Sequence, residues 1–297
     1  MTINEMDTAE VLANYQRDGY ILLKKVFDSA EIADFKSRIA NLATSDAEAV
    51  SLQGDALSEV SLRSILLDDR ILDAVKVILG PRIVYFGDSS YRYDLGEGSR
   101  GYHKDSLDDF EDPSSTEYPI VRLGVYMQDH VSHSGGLKVR RGSHKHVFIG
   151  RSSLKRLFSP NPHGFLKLAS FRLGRSINLD TEAGDLAIWS LRTIHSGHAV
   201  RLKMFPKLCI NPRFEKYIPK AWALPYDGPR SILFGAFGAP SECLEGYIKN
   251  RAEDSSNRER WKRSHYDDPA IVDACSQKGV ELRFDVMELS RKSQSPD

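Results

Sequence analysis

The sequence predicts a mainly β protein with flanking helices. Three features carry that reading: a run of short, turn-punctuated apolar segments through the middle, amphipathic helical patterns before it, and mixed helical patterns after it. Between residues 82 and 214 the segments "RIVYFGD", "SYRYD", "IVRLGVYMQD", "GGLKVRRG", "FLKLASF", "SINLD", "GDLAIWSL" and "KLCINPRF" alternate or are rich in β-branched residues, and Gly, Pro, Asp and Ser separate them. Many short strands in succession, with no helix between them, indicate a sandwich or barrel.

The elements before this run follow from capping and periodicity. "TAEVLANYQRDG" reads as a helix ending at Gly19, "YILLKKVF" as a strand, and Asp28 with Glu31 as a capping box for a helix whose apolar face is Ile32, Phe35, Ile39 and Leu42. "DDRILDAVKVILGP" has the stripe Ile71, Leu72, Val75, Ile78 and Leu79 and stops at Gly80 and Pro81. After the run, "SECLEGYIKNRAE" reads as helical from Ser241, and Asp268 with Pro269 starts a helix over "AIVDACSQKG". The charged "KNRAEDSSNRERWKRSHYDD" between them reads as a solvated helix or loop. No internal repeat or long linker divides the chain, so one domain is expected over 1–297: a helical part (1–81), a β-core (82–214) and a C-terminal segment (215–297) placed to wall or cover a pocket.

Composition narrows the function. Of the 297 residues, 41% are hydrophobic and 28% charged, enough apolar material for a sizeable core. The 41 Lys and Arg cancel the 41 Asp and Glu, so no net positive field attracts nucleic acid or an anionic membrane. Three cysteines, Cys209, Cys243 and Cys275, are odd in number and widely spaced, which indicates neither a disulfide framework nor a thiolate zinc site. The acidic N-terminus lacks a leader-like apolar run and no apolar stretch reaches spanning length, so a cytoplasmic protein is expected.

The chemistry-bearing candidates lie in the β-rich part. In "GYHKDSLDDF", His103 and Asp105 follow a strand-like segment, a spacing that suits a metal site, a general acid/base pair, or two polar residues with no joint role. A metal would need further ligands, because two leave most of a coordination sphere undefined. Among the other histidines, His130, His133, His144, His146, His163 and His198 sit in polar, loop-like contexts that suggest surface positions. His195 instead follows the buried-strand pattern "GDLAIWSL" launched by the Gly184-Asp185 turn.

Four stretches, taken in order, resemble the phytanoyl-CoA dioxygenase family of Fe(II)- and 2-oxoglutarate-dependent oxygenases. They are "YQRDGYILLKKVFDSAEIADF", "YHKDS", "GVYMQDHVSHSGGLKVRRGSHK" and "AGDLAIWSLRTIHSG", and the resemblance spans about residues 12 to 214. It implies a double-stranded β-helix (jelly-roll, cupin-like) core and an iron held by His103, Asp105 and His195. It also implies 2-oxoglutarate and O2 as co-substrates, succinate and CO2 as products, and oxidation of a C–H bond in a small organic molecule. Asp105 favours hydroxylation, since related halogenases carry a small residue in its place. Two imidazoles and one carboxylate on one face of an octahedral ion leave three adjacent positions open, as this chemistry requires. A zinc-dependent hydrolase and a non-catalytic cupin-like binding protein are the alternatives for the same ligands. A homo-oligomer is compatible with either class.

The resemblance also implies a cation for the distal carboxylate of 2-oxoglutarate, usually an arginine near the start of the strand after the distal histidine. None stands just before "LCINPRF"; if that segment is the return strand of a hairpin, Lys207 takes the place, with Arg201 as competitor and Arg122 as third choice. Tyr91 and Tyr93, on the strand before His103, are expected to face the co-substrate or to belong to the core. Trp189 reads as core, Ser143 as a loop-structuring residue, and the acidic "DSLDDFEDPSSTE" as solvated or substrate-recognising.

Overall fold

In a computed structural model, residues 7–40, 55–94, 101–106, 118–145, 176–228, 230–286 and 288 are described. The predicted helices form where their caps allow. Helix α1 (Thr8–Asp18) is capped by the Asp7 side chain, which accepts from Ala9 N–H, and ends at Gly19, whose φ of 81° lets its N–H return to the Tyr15 carbonyl. Helix α2 (Ser29–Ala40) opens on the expected reciprocal box: Asp28 Oδ1 accepts from Glu31 N–H, and Glu31 Oε2 accepts from Asp28 N–H, both at 2.8 Å. A short helix that the sequence reading did not mark, α3 (Val60–Leu66), buries Leu62, Ile65 and Leu66. Helix α4 (Asp69–Leu79) buries Ile71, Leu72 and Val75 of its predicted stripe.

Among the described residues, ten strands make two facing sheets rather than a closed barrel: β1 (Tyr20–Leu23), β2 (Ile83–Tyr85), β3 (Ser90–Asp94), β4 (Ile120–Tyr126), β5 (Gly136–Arg140), β6 (Ser176–Asn178), β7 (Leu186–Ser190), β8 (His195–Ala199), β9 (Arg230–Gly238) and β10 (Val280–Leu282). Seven form the large sheet in the order β1-β7-β4-β9-β2-β10, with β3 also paired to β9; the small sheet is β6-β5-β8. Tyr126, Leu137, Val139, Leu179, Ala187, Trp189 and Ile232 fill the space between the sheets. The main core, including Val121, Leu123, Val125 and Leu233, lies between the other face of the large sheet and the helices. This alternation along β4 is the two-residue period of a strand buried on both faces.

The boundaries expected for the β-core are too narrow. β1 joins it from the N-terminal part, and β9, from the segment expected to act as a cover, lies centrally between β4 and β2. The expected strand "KLCINPRF" does not form: Asn211 caps a single helical turn, α5 (Pro212–Glu215), with its side chain accepting from Arg213 N–H at 3.1 Å. Pro212 explains this, because proline cannot donate to a ladder and its fixed φ suits the first turn of a helix. The expected strand "FLKLASF" lies outside the described residues. Both predicted C-terminal helices form, α6 (Glu242–Glu253) behind the Ser241 cap and α8 (Pro269–Gln277) behind Asp268. The charged stretch between them contains α7 (Ser255–Lys262), which is anchored rather than only solvated, because Trp261 is buried. Among the described residues, no helix is long and apolar enough to cross a membrane.

Candidate metal centre

The turn that launches β7 shows how the local sequence builds the site's scaffold. Gly184 has φ +94° and its missing Cβ would lie 2.1 Å from the Phe27 carbonyl oxygen, so no other residue fits there. The buried Asp185 next to it accepts from Lys25 N–H at 2.9 Å and Glu182 N–H at 2.7 Å, which fixes the start of β7 against the chain after β1. β7 then runs to the Ser190–Thr193 turn, and β8 starts at His195. Ser143 holds that start from the other side, its hydroxyl accepting from Ile194 N–H at 2.9 Å.

The "YHKDS" segment is stitched onto this corner by its backbone. His103 and His195 exchange both N–H to carbonyl hydrogen bonds, at 3.0 and 2.9 Å, and the N–H groups of Asp105 and Ser106 both donate to the Leu191 carbonyl at 3.0 Å. The two imidazoles therefore stand with centroids 4.3 Å apart. Each donates through Nδ1 to a carbonyl, His103 to Gly101 and His195 to Thr193, both at 2.9 Å. That assigns the proton to Nδ1 and leaves each Nε2 lone pair free for a metal. The Asp105 carboxylate closes the set: Oδ1 is 3.9 Å from His103 Nε2 and Oδ2 is 3.5 Å from His195 Nε2. One ligand atom from each of His103, Asp105 and His195 can be taken with all of them within 4.8 Å of one another.

The donor set fits a divalent metal. Two imidazole nitrogens and one carboxylate oxygen are donors that suit a first-row divalent ion, and the carboxylate is free to offer one, since Asp105 Oδ2 accepts no hydrogen bond among the described residues. Burial works against charge on Asp105, but the Arg122 guanidinium, and after it the two imidazoles, hold its carboxyl below the usual range. Burial pushes His195 down, which favours the neutral imidazole that a metal requires. The His103 side is exposed and the His195 side buried, so the site opens toward solvent past His103.

The other expected site residues fall elsewhere. Lys207 is exposed, and because no strand follows β8 directly, the hairpin register that would have brought it back level with His195 does not exist. Arg201 is buried, but its guanidinium holds the Leu179 carbonyl at 2.9 Å, the Asp180 carboxylate at 2.7 Å and the Pro206 carbonyl at 3.3 Å, tying down the chain that leaves β8. Tyr91 belongs to the helix-side core and its hydroxyl meets Ser231 Oγ at 2.8 Å; the Tyr93 side chain lies outside the described residues. His130 and His144, expected at the surface, are buried, with ring nitrogens on Thr181 Oγ1 at 3.0 Å and the Gln16 carbonyl at 3.1 Å. The His198 side chain, His146, His163 and most of the acidic stretch after Asp105 also lie outside the described residues.

Two neighbours of the triad, and one strand, were not legible as such. Arg122, on β4, has Nε 3.5 Å from Asp105 Oδ2 and Nη2 2.6 Å from Asp88 Oδ2. Trp189 packs 5.5 Å from the His195 ring, so this core residue is also a wall of the site, and its indole N–H makes no hydrogen bond among the described residues. Arg230 is the first residue of β9, the large-sheet strand that follows β8 in the chain, with its backbone in register with Asp94. The signal for β9 was present in "PRSILFGAF", a short apolar run after a Gly-Pro pair.

Comparisons with known proteins agree with this architecture. Ectoine dioxygenase of Sphingopyxis alaskensis is 26% identical over 156 residues, a match covering 46% of this chain and half of that enzyme's length. Solved structures of similar fold include HygX from Streptomyces hygroscopicus with nickel and 2-oxoglutarate bound, at TM-score 0.54 and 17% identity over 79% of this chain and 88% of that one. Another is the non-heme alpha ketoglutarate dependent epimerase SnoN from nogalamycin biosynthesis, at TM-score 0.52 and 19% identity over 78% and 83%. The two facing sheets with flanking helices are thus a double-stranded β-helix fold. A family model matches residues 15–202, from helix α1 past both histidines of the triad, and the chain belongs to the phytanoyl-CoA dioxygenase (PhyH) family.

Proposed function

We propose that the protein is an Fe(II)- and 2-oxoglutarate-dependent dioxygenase that hydroxylates a C–H bond of a small organic molecule. The observation that carries this reading is the turning of both imidazole Nε2 atoms, fixed by Nδ1 bonds to carbonyls, toward the Asp105 carboxylate. His103, Asp105 and His195 would hold the iron, which when bound activates O2 at the expense of 2-oxoglutarate.

The chain's own residues do the rest. Arg230 supplies the cation for the distal carboxylate of 2-oxoglutarate, because it meets the criterion that Lys207 fails: it opens the next strand of the large sheet, two residues before Ile232 of the inter-sheet cluster. Trp189 and Tyr126 line the space between the sheets with apolar surface that excludes water. The solvent-side position of His103 leaves the primary substrate an approach there.

Anaerobic addition of Fe(II) and 2-oxoglutarate tests the reading: a weak visible charge-transfer band of a keto-acid chelate is expected. A zinc-dependent hydrolase or a non-catalytic binding protein would give no such band. Succinate release, coupled to one member of a metabolite library, would then identify the substrate.

A further inference from the structure

We propose that Arg122 keeps Asp105 a one-oxygen ligand and so preserves the coordination positions that the co-substrate needs; this rests on the iron and 2-oxoglutarate reading above. Carboxylates bind cations through one oxygen or two, and the second mode is always within reach of a flexible Asp. In a facial triad a second aspartate oxygen would occupy one of the three open positions. Something must hold that oxygen away.

Arg122 is built to do so. It stands opposite Trp189 on β7 and Ala236 on β9, at the middle of three hydrogen-bonded strands, so its backbone cannot shift independently. Its guanidinium is clamped at the far end, where Nη2 donates to Asp88 Oδ2 at 2.6 Å. Asp88 is itself held, by the Tyr247 hydroxyl at 3.4 Å and by Arg260 Nη2 at 3.6 Å, both from the C-terminal helices. With Nη2 fixed on Asp88, the Nε edge is left toward Asp105 Oδ2 as an ion pair at 3.5 Å, and Nε makes no hydrogen bond among the described residues. A planar fork can span two carboxylates in this way; a lysine ammonium, a single point charge, cannot. Arg122 is therefore a positioning residue, acting through Asp105.

The test uses Co(II), whose visible bands report coordination without turnover, titrated into the full-length protein before and after 2-oxoglutarate. The variants are Arg122→Lys, which keeps the charge but not the fork, and the double variant Arg122→Gln/Asp88→Asn, which removes both buried charges together so that neither is left alone. Near-UV circular dichroism checks that each is folded. Expected is a split: Co(II) affinity held or raised, with changed visible bands, and 2-oxoglutarate affinity for the cobalt form lowered about tenfold or more, the size usual for partners of metal ligands. If Arg122→Lys behaves as wild type, charge alone suffices and the proposal is overturned. Equal loss of cobalt and 2-oxoglutarate binding overturns it too, because that is what general damage to the site would give. If wild-type protein binds Co(II) but its bands ignore 2-oxoglutarate, the co-substrate reading fails and the proposal fails with it; a wild-type response matched by both variants removes the proposal alone.

Discussion

The Trp261 indole donates to the Gly87 carbonyl at 2.9 Å, across the boundary between the C-terminal helices and the strand end that carries Asp88. Gly87 has φ +80°, and a Cβ there would lie 2.7 Å from Trp261 Nε1 and 2.6 Å from the Tyr266 hydroxyl. Two changes test this junction. Gly87→Ala is expected to cost more than about 1 kcal/mol, from the unfavourable φ and the clash together. Trp261→Ala is expected to cost about 3–5 kcal/mol as a buried aromatic deletion. Urea unfolding measures both. Deleting residues 215–297 would remove β9 as well, so an insoluble product is expected rather than a folded enzyme with altered specificity.

Replacing His103, Asp105 or His195 by Ala should abolish turnover while leaving a folded protein, because each is held by backbone bonds that the side chain does not make. A loss of metal affinity beyond about a hundredfold is expected, more than the effect of outer partners. Isothermal titration with Co(II) is the check, and a triad variant that retains wild-type affinity would remove that residue from the ligand set.

For the co-substrate anchor, Arg230→Ala is expected to raise the apparent KM for 2-oxoglutarate by roughly tenfold to a hundredfold, from about 1.5–3 kcal/mol for a hydrogen bond to a charged group. Lys207→Ala should leave it unchanged, since Lys207 is exposed beyond the small sheet's last strand. Arg201→Ala should lower stability first, through loss of its bonds to Leu179, Asp180 and Pro206. A 2-oxoglutarate titration at saturating iron and substrate, beside a melting curve, separates the three.

Asp88 sets an acid limit on stability. Burial opposes its charge, but Arg122, Arg260 and Arg251 outweigh burial and hold its carboxyl well below the usual range. A depressed folded-state pKa adds stability that is fully present above the unfolded value of about 3.9 and is lost as pH falls toward the folded value. Asp88→Asn should therefore cost about 3–5 kcal/mol between pH 5 and 8, as one partner of a buried pair is removed. The gap from wild type should narrow below about pH 4. Thermal unfolding across pH reads it, and a gap that stays constant to pH 2 would contradict the assignment.

What the sequence determined by itself was whatever depends on neighbours along the chain. The Asp28–Glu31 box, the stop at Gly19 and the Gly184–Asp185 turn are local hydrogen-bond and φ requirements, and each was readable in place. The motifs around His103, Asp105 and His195 were readable because each lies in a short stretch with its own pattern. Tertiary structure alone decided which strands became neighbours. Nothing local says that the chain after β8 covers the outside of the small sheet for about thirty residues before β9 enters the large one, so the return strand expected directly after His195 is not found there. Pairing across the sheet, set by register rather than by sequence distance, is also what brings Arg122 between Asp88 and Asp105. A strand's period tells which side a residue faces, but only the partner strands decide what it meets there.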